Sequence, residues 1–173
     1  MPFQTKITLI LLQTLDGFIA KNQNDNLDWG SSQDKKLFAE RTKKIGLMIC
    51  GSNTYLKMNP KSFEGRKTIV VTSRPEEIDK QVDNVEFFTG SPAELKAKLS
   101  DEGIAEAALV GGGKLNGAFL QENLVDEIYI SLAPVLFGTG VRGYGENQLF
   151  NKFELISNEI ISPSLILLHY KKI

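Results

Sequence analysis

The chain has 173 residues, a length typical of one domain with a sizeable core, and 42% of them are hydrophobic, as in ordinary globular proteins. The net charge is -1 and both signs are scattered along the chain, which argues against nucleic-acid binding and against a disordered tail. No apolar run approaches membrane-spanning length, and no signal-peptide pattern opens the chain. The single cysteine, Cys50, excludes an intrachain disulfide and a cysteine zinc cluster, so we expect a cytoplasmic protein without a membrane partner.

Strand and helix patterns alternate through the first two thirds of the chain. Nearly continuous apolar stretches favour central strands that are covered on both faces, whereas apolar residues three or four positions apart favour helices. The predicted strands are 6–13, 46–50, 67–71, 85–88 and 105–110. The predicted helices are 31–45, 92–103 and 114–120, with a short helical turn after Gly51.

The last third of the chain is predicted to contain strands without crossover helices. A long strand at 126–136 is followed by a glycine-rich loop at 137–147, and 153–161 and 165–172 form a hairpin. This order predicts an α/β fold with a mostly parallel sheet, helices on both faces and an antiparallel C-terminal hairpin. The only histidine, His169, lies in the final strand, where we expect a structural role.

The helix predicted at 31–45 begins with a possible functional residue. Ser31 and Asp34 have the spacing of a capping box, and Asp34 also lies on the apolar stripe of Leu37 and Phe38. The carboxylate is therefore either a helix cap or a functional group directed into a cavity. Just before this helix, the only tryptophan, Trp29, could stack on a planar ligand or fill the edge of the core.

Three consecutive glycines follow the strand predicted at 105–110. Gly111, Gly112 and Gly113 precede a helix, and such a turn can direct backbone N–H groups at an anion beside the helix N-terminus. The glycines could equally serve only to make a tight turn. The pattern therefore leaves a phosphate site and a purely structural turn both open.

Two other strands end in similar polar turns, at 51–54 and 72–74. Ligands of open α/β sheets bind outside the carboxyl ends of parallel strands, so the three turns together could hold an extended molecule with several phosphates, such as a dinucleotide. The pattern differs from a Rossmann fingerprint because Asn116 stands where a third spaced glycine would be needed, and no P-loop motif occurs. The sequence therefore predicts a dinucleotide site of another α/β architecture.

Several segments resemble the dihydrofolate reductase-like family, and most closely the C-terminal reductase domain of bifunctional riboflavin biosynthesis proteins. The similar segments are 14–20 (TLDGFIA), 51–54 (GSNT), 111–117 (GGGKLNG), 124–127 (LVDE) and 133–138 (APVLFG). The resemblance implies a single three-layer domain over 1–173, with a mostly parallel central sheet. It also implies an NADPH-dependent oxidoreductase. The zinc deaminase half of the bifunctional proteins is excluded here, because one cysteine and one histidine cannot build its site.

The resemblance further implies which residues hold the cofactor. The backbone near Leu12 and Ile19 would contact the nicotinamide, and the two glycine turns would hold the phosphates. The turn at 72–74 would meet the adenosine ribose and its 2′-phosphate. These residues are Leu12, Ile19, Gly51, Ser52, Thr54, Thr72, Ser73, Arg74, Gly111, Gly112, Gly113, Lys114 and Leu115. Ser52 replaces a basic residue found in many dihydrofolate reductases, so preference for NADPH rests on Arg74, and NADH is not excluded.

The implied substrate pocket lies between the first strand and the helix at 31–45. Asp34 would hydrogen-bond a heterocyclic ring and assist proton delivery, and Asp16, Trp29 and Arg41 would also bind substrate. Reduction of 5-amino-6-(5-phosphoribosylamino)uracil is the first hypothesis, and reduction of dihydrofolate or another pterin is the second. A nucleotide-binding protein of this fold without turnover is a third. The resemblance is also compatible with a homodimer.

Overall fold

The computed structural model describes residues 3–173. One eight-stranded sheet dominates this part of the chain, and a separate two-stranded ribbon joins two loops. The strands are β1 (Lys6–Gln13), β2 (Phe18–Ala20), β3 (Leu47–Gly51), β4 (Lys67–Val71), β5 (Val85–Phe88), β6 (Glu106–Leu109), β7 (Glu127–Leu132), β8 (Val141–Arg142), β9 (Phe153–Ser162) and β10 (Leu165–Lys172). The α-helices are α1 (Ser32–Ile45), α2 (Ser52–Lys57), α3 (Pro92–Asp101) and α4 (Gly113–Gln121).

The strand order of the large sheet is β5-β4-β3-β6-β1-β7-β10-β9. Neighbouring strands from β5 to β7 pair in parallel, and β10 and β9 complete the sheet as an antiparallel hairpin. The predicted α/β fold, with its mostly parallel sheet and antiparallel C-terminal hairpin, is therefore confirmed. Strands β1, β4 and β5 have the predicted bounds.

Buried side chains cover the sheet on both faces. On one face, Ile7 and Leu9 of β1 pack with Leu95 of α3 and Phe119 of α4. On the other face, Met48, Cys50 and Val70 form a cluster with Tyr55 and Phe63, and Phe38 of α1 packs against it. Because β1 and β3 are covered on both faces, they read as continuous apolar runs rather than as an alternating pattern.

Most of the other boundaries differ from the predicted ones by one or two residues, and two of the differences have clear local reasons. Gly46 was predicted to open a strand, but it ends α1 in the left-handed conformation, with φ 87° and its N–H donating to Thr42. The strand predicted to reach residue 136 ends at Leu132. Ala133 and Pro134 follow, and a proline lacks the N–H that a continuing strand ladder needs.

The ribbon formed by β2 and β8 was not predicted. The two strands are only three and two residues long, and they lie in segments that the sequence marks as a turn and a loop. A Cβ on Gly140 would lie 2.5 Å from the carbonyl oxygen of Ala20, so the ribbon depends on glycine at that close approach. Within residues 3–173, no helix is both long and apolar enough to cross a membrane.

Candidate functional site

The carboxyl ends of β4, β3 and β6 lie side by side at one edge of the sheet. Gly51 at the end of β3 is in register with Val71 at the end of β4, and Ile49 is in register with Leu109 at the end of β6. The turns that begin at Gly51, Thr72 and Gly111 are therefore neighbours. The structure brings together the three strand ends that the sequence singled out.

The two glycine turns are joined by a direct hydrogen bond. The backbone N–H of Gly51 donates to the carbonyl oxygen of Gly111 at 2.7 Å. A Cβ on Gly112 would lie 3.4 Å from the hydroxyl oxygen of Thr54, so the second turn lies against the start of α2. We call residues 51–54 and 111–115 together the glycine cradle.

The N-terminus of α4 lies within the glycine cradle and has no side-chain cap. Gly112 is the N-cap residue, and within the described chain no side chain accepts a hydrogen bond at this helix start. The N–H groups of the first turn, which includes Lys114 and Leu115, are therefore available for an anion, and the helix dipole favours a negative charge here.

Close backbone packing explains two further glycines of α4. A Cβ on Gly113 would lie 2.0 Å from the carbonyl oxygen of Arg142, and a Cβ on Gly117 would lie 2.6 Å from that of Tyr144. The segment 142–145 is therefore seated directly on the first turns of α4. Gly113 serves this packing, whereas Gly112 faces a more open space.

Asn116 is a buried polar residue that the sequence analysis did not assign to the site. Its side-chain amide donates to the carbonyl oxygen of Gly143 at 2.9 Å, while its Oδ1 atom has no hydrogen-bond partner among the described residues. Gly143 in turn lies against Ile19 and Leu11. Asn116 thus connects α4 to the ribbon beside the predicted nicotinamide position. A polar residue in an otherwise apolar helix face was the available sequence signal.

The predicted adenosine-binding turn is more exposed than the glycine cradle. Thr72 is half-buried and accepts a hydrogen bond from the backbone N–H of Arg74 at 3.2 Å, while Ser73 and Arg74 are exposed. The guanidinium of Arg74 pairs with Glu77, with an N–O distance of 3.3 Å. Ser52, half-buried at the start of α2, lies on the neighbouring strand end.

Asp34 lies in the first turn of α1 and is 91% buried, with 9% of its surface exposed. Its backbone N–H donates to the Ser31 hydroxyl at 3.1 Å, but its carboxylate interacts with Ser131 of β7, so only half of the expected capping box forms. Burial raises the pKa of Asp34, and the Ser131 hydrogen bond and the charge of Lys35 offset only part of that effect.

Ser131 places this carboxylate at the end of β1. Leu12 is the register partner of Ser131 on the neighbouring strand, so their side chains lie on the same face of the sheet. A Cβ on Gly30 would lie 2.8 Å from the Leu12 side chain, so the loop before α1 closes over this position. The carboxylate of Asp34 therefore lies beside the ends of β1 and β7, and a lone polar residue in an apolar strand could have identified Ser131.

The other three predicted substrate residues contact aromatic rings or loop backbone. The guanidinium of Arg41 stacks over the Tyr129 ring, 3.5 Å from its centroid. The Tyr129 ring also stacks on His169, with ring centroids 4.0 Å apart. Trp29 is half-buried and meets Phe137 edge-on, with ring centroids 5.2 Å apart.

The carboxylate of Asp16 is already occupied within the chain. It accepts hydrogen bonds from the Thr14 hydroxyl at 2.6 Å and from the backbone N–H groups of Phe137 and Gly138 at distances down to 2.7 Å. The Thr14 bond and these backbone bonds hold the pKa of Asp16 below its usual value. Asp16 therefore joins the turn after β1 to the loop that carries Phe137.

Solved structures of other proteins share this fold. A protein from Shewanella sp. PV-4 described as a candidate riboflavin biosynthesis protein is 25% identical, with a TM-score of 0.79, over 98% of this chain and 99% of that chain. A diaminohydroxyphosphoribosylaminopyrimidine deaminase/5-amino-6-(5-phosphoribosylamino)uracil reductase from Thermotoga maritima is 20% identical, with a TM-score of 0.80, over 98% of this chain and 57% of that chain. Dihydrofolate reductase from Enterococcus faecalis, complexed with NADP(H) and RAB-propyl, is 22% identical, with a TM-score of 0.76, over 99% of both chains.

These likenesses establish a dihydrofolate reductase-like fold. A model of the family described as the RibD C-terminal domain matches residues 5–167. Because this match spans nearly the whole chain, the protein belongs to the RibD C-terminal domain family.

Proposed function

We propose that the protein is an NADPH-dependent reductase of a small heterocycle, most like 5-amino-6-(5-phosphoribosylamino)uracil reductase. The observation that carries the proposal is the buried carboxylate of Asp34 beside the end of β1, on the same sheet as the glycine cradle. One part of the molecule thus combines a potential proton donor with a site suited to phosphates. The family match and the reductases among the structural neighbours support the same reaction class.

The residues present fit a phosphorylated dinucleotide. The uncapped N-terminus of α4 offers backbone N–H donors to a phosphate, and Gly112 leaves room for it. Leu12 and Ile19, both half-buried, would flank the nicotinamide end, and Arg74 would meet the 2′-phosphate. A bound reduced nicotinamide would supply the hydride for the reaction.

Asp34 would bind the heterocycle and donate a proton to the group that accepts the hydride. A carboxyl group with a raised pKa retains a proton closer to neutral pH, as a general acid requires, and in its ionised form accepts hydrogen bonds from ring N–H groups. Ser131, which lies beside the carboxylate, would orient it. Burial between α1 and the sheet would keep bulk water away from the reacting ring.

A phosphorylated pyrimidine is the first choice of substrate. The Thermotoga maritima neighbour is named as a reductase of such a compound. In this chain, Lys35 is exposed next to Asp34 and close enough for its charge to lower the pKa of that carboxyl. A cation at this position, next to the ring-binding carboxylate, would attract a phosphate carried by the substrate.

A pterin such as dihydrofolate is the second candidate. The aromatic pair of Trp29 and Phe137 favours it, because these half-buried rings could contact the flat, apolar part of a larger substrate. The dihydrofolate reductase among the structural neighbours is consistent with this alternative.

Nucleotide binding followed by turnover tests the proposal. We would measure the thermal shift with NADPH and with NADH, and then follow cofactor oxidation in the presence of 5-amino-6-(5-phosphoribosylamino)uracil or dihydrofolate. We expect stabilisation by NADPH and oxidation with the pyrimidine. No stabilisation by either nucleotide would overturn both reductase candidates, and binding without oxidation of either substrate would indicate a nucleotide-binding protein without this turnover.

A further inference from the structure

The turn that follows β4 contains a charge pair that neither the resemblance nor the fold explains. The guanidinium of Arg74 contacts both carboxylate oxygens of Glu77, at 3.3 and 3.5 Å, and both side chains are exposed. The pair is held by a short turn. The Glu77 N–H donates to the Arg74 carbonyl oxygen, and Ile78, which follows directly, is buried in the core.

The remaining charges of this turn are acidic. Glu76 and Glu77 form the single helical turn Pro75–Glu77, and Arg74 stands immediately before it. The local sum from Arg74 to Glu77 is therefore one negative charge, from one cation and two carboxylates. A phosphate dianion that approached Arg74 would gain from the guanidinium and be repelled by both glutamates.

This pair combines two opposite preferences for the ribose of a dinucleotide. An arginine beside the 2′ position accommodates the 2′-phosphate of NADPH, whereas an acidic residue there accepts a hydrogen bond from the 2′-hydroxyl of NADH. In this chain the arginine is already paired with the acid. Both contacts use the Nη1 nitrogen of Arg74, so a 2′-phosphate that binds the guanidinium must compete with the neighbouring negative charge of Glu77.

We infer that Glu77 is the residue that limits the preference of this site for NADPH over NADH, because its carboxylate holds Arg74. The inference rests on the proposed function, which places the adenosine ribose at Thr72–Arg74. Loss of the carboxylate should raise the affinity for NADPH without raising that for NADH. In the native protein the preference for NADPH over NADH is accordingly smaller than Arg74 alone would give.

The chain offers a matched control for this inference. Glu76 lies in the same turn and carries the same charge, but in the described residues no hydrogen bond or ion pair joins it to Arg74. Both glutamates are exposed, so neither substitution should disturb the fold. Glu77→Gln removes the partner of Arg74, whereas Glu76→Gln removes only a nearby charge.

Calorimetric titrations with NADPH and NADH at low and at high salt test the inference. For Glu77→Gln we expect NADPH to bind roughly three- to tenfold more tightly at low salt, with a smaller gain at high salt and no gain for NADH. Glu76→Gln should change NADPH binding less than Glu77→Gln does. In an Arg74→Ala background, Glu77→Gln should favour NADPH no more than Glu76→Gln does, because only the direct repulsion of the phosphate is then removed.

The outcomes separate this inference from the proposed function. An unchanged NADPH affinity in Glu77→Gln would overturn the inference, as would equal effects of the two glutamate substitutions or an equal gain for NADH. A gain for NADPH that stays undiminished without Arg74 would also overturn it. In each of these cases the native protein still binds a nicotinamide nucleotide, so the proposed function stands. Only the absence of binding by the native protein would count against that function.

Discussion

The backbone N–H of Gly51 donates to the carbonyl oxygen of Gly111 at 2.7 Å, and this bond joins the turn after β3 to the turn after β6. Two segments far apart in the chain thereby form one surface at the edge of the sheet. The open side of that surface is formed by Gly112 rather than by Gly113, because only Gly113 is pressed against another backbone segment. The two glycines should therefore respond differently to substitution.

Gly112→Val should abolish nucleotide binding while the protein stays folded. Gly112 has φ -74° and ψ -169°, a conformation that a valine adopts, and its Cβ position has only Thr54 at 3.4 Å. The new side chain would occupy the glycine cradle. At a nucleotide concentration of about one hundred times Kd, the native protein should gain about 2.7 kcal/mol of stability, and the variant should gain none. A thermal-shift titration measures this difference.

Gly113→Ala serves as the contrasting variant. Its Cβ would lie 2.0 Å from the carbonyl oxygen of Arg142, and backbone cannot move aside as a flexible side chain can. We expect the free energy of unfolding to fall by about 1–3 kcal/mol, as measured by urea denaturation. Equal stability of the two glycine variants would contradict the assignment of Gly112 to the ligand and of Gly113 to packing.

Asp34→Asn should lower turnover about 100-fold and leave nucleotide affinity unchanged, because the amide cannot donate a proton to the substrate. Turnover of the native protein should fall as pH rises through the raised pKa of Asp34. Steady-state rates across pH, with nucleotide titration as the control, check both points. Unchanged turnover would mean that the first turn of α1 uses Asp34 only structurally.

The same substitution should change the pH dependence of stability. The folded pKa of Asp34 is raised above the ordinary value of 3.8, so its contribution to stability is fully present below that value and is lost as pH rises through the folded pKa. An asparagine does not titrate. Asp34→Asn should therefore have a higher melting temperature than the native protein at neutral pH. The difference between the two melting temperatures should be smaller at low pH, and calorimetry measures both.

Tyr144→Phe should make the protein less sensitive to alkaline pH. The Tyr144 hydroxyl donates to Gln13 at 2.8 Å, and burial raises its pKa from 10.0 to about 12. Its contribution to stability is present below pH 10 and is lost as pH rises toward 12. We expect the variant to be about 0.5–1.5 kcal/mol less stable near neutral pH and to lose less stability above pH 10. Denaturant curves at several pH values measure the free energy of unfolding of both proteins. If Tyr144 did not titrate in this way, the native protein and the variant would lose the same amount of stability above pH 10.

Asn116→Ala should destabilise the protein by about 1–3 kcal/mol, because the buried carbonyl oxygen of Gly143 would lose its donor. Urea unfolding measures the loss. Asn147→Ala is the control, since Asn147 also donates through its side-chain amide, to Gln121 at 3.1 Å, but at the surface. We expect the control to stay within about 0.5 kcal/mol of the native protein. Similar values for the two variants would show that burial of the Asn116 bond contributes nothing.

Local sequence patterns predicted much of this fold. The apolar runs at 6–13 and 67–71 match their strands, because a run buried on both faces is recorded in residue type alone. The polar turns at the ends of β3, β4 and β6 could also be located, because glycines and hydroxyl residues interrupt those runs. Parallel strand order then requires that such turns meet at one edge of the sheet.

Contacts across the sheet could not be predicted in the same way. The pairing of Asp34 with Ser131 depends on the position of α1 over β1 and β7, and no local periodicity encodes that placement. The stacking of Arg41 on Tyr129 and the hydrogen bonds from Asp16 to the loop at Phe137 likewise join distant segments. A pattern in one segment identifies which face is apolar, but it does not identify the partner that covers it.

The sequence by itself therefore determined the strands of the large sheet, the glycine turns and the family resemblance, all of which follow from residue type and spacing. The tertiary structure alone decided which turns touch, which glycine faces open space, and that Asp34 is buried beside Ser131 with a raised pKa. The physical reason is that burial and electrostatic environment are properties of neighbours in space. Those neighbours are set by strand order and helix packing rather than by adjacency in the chain.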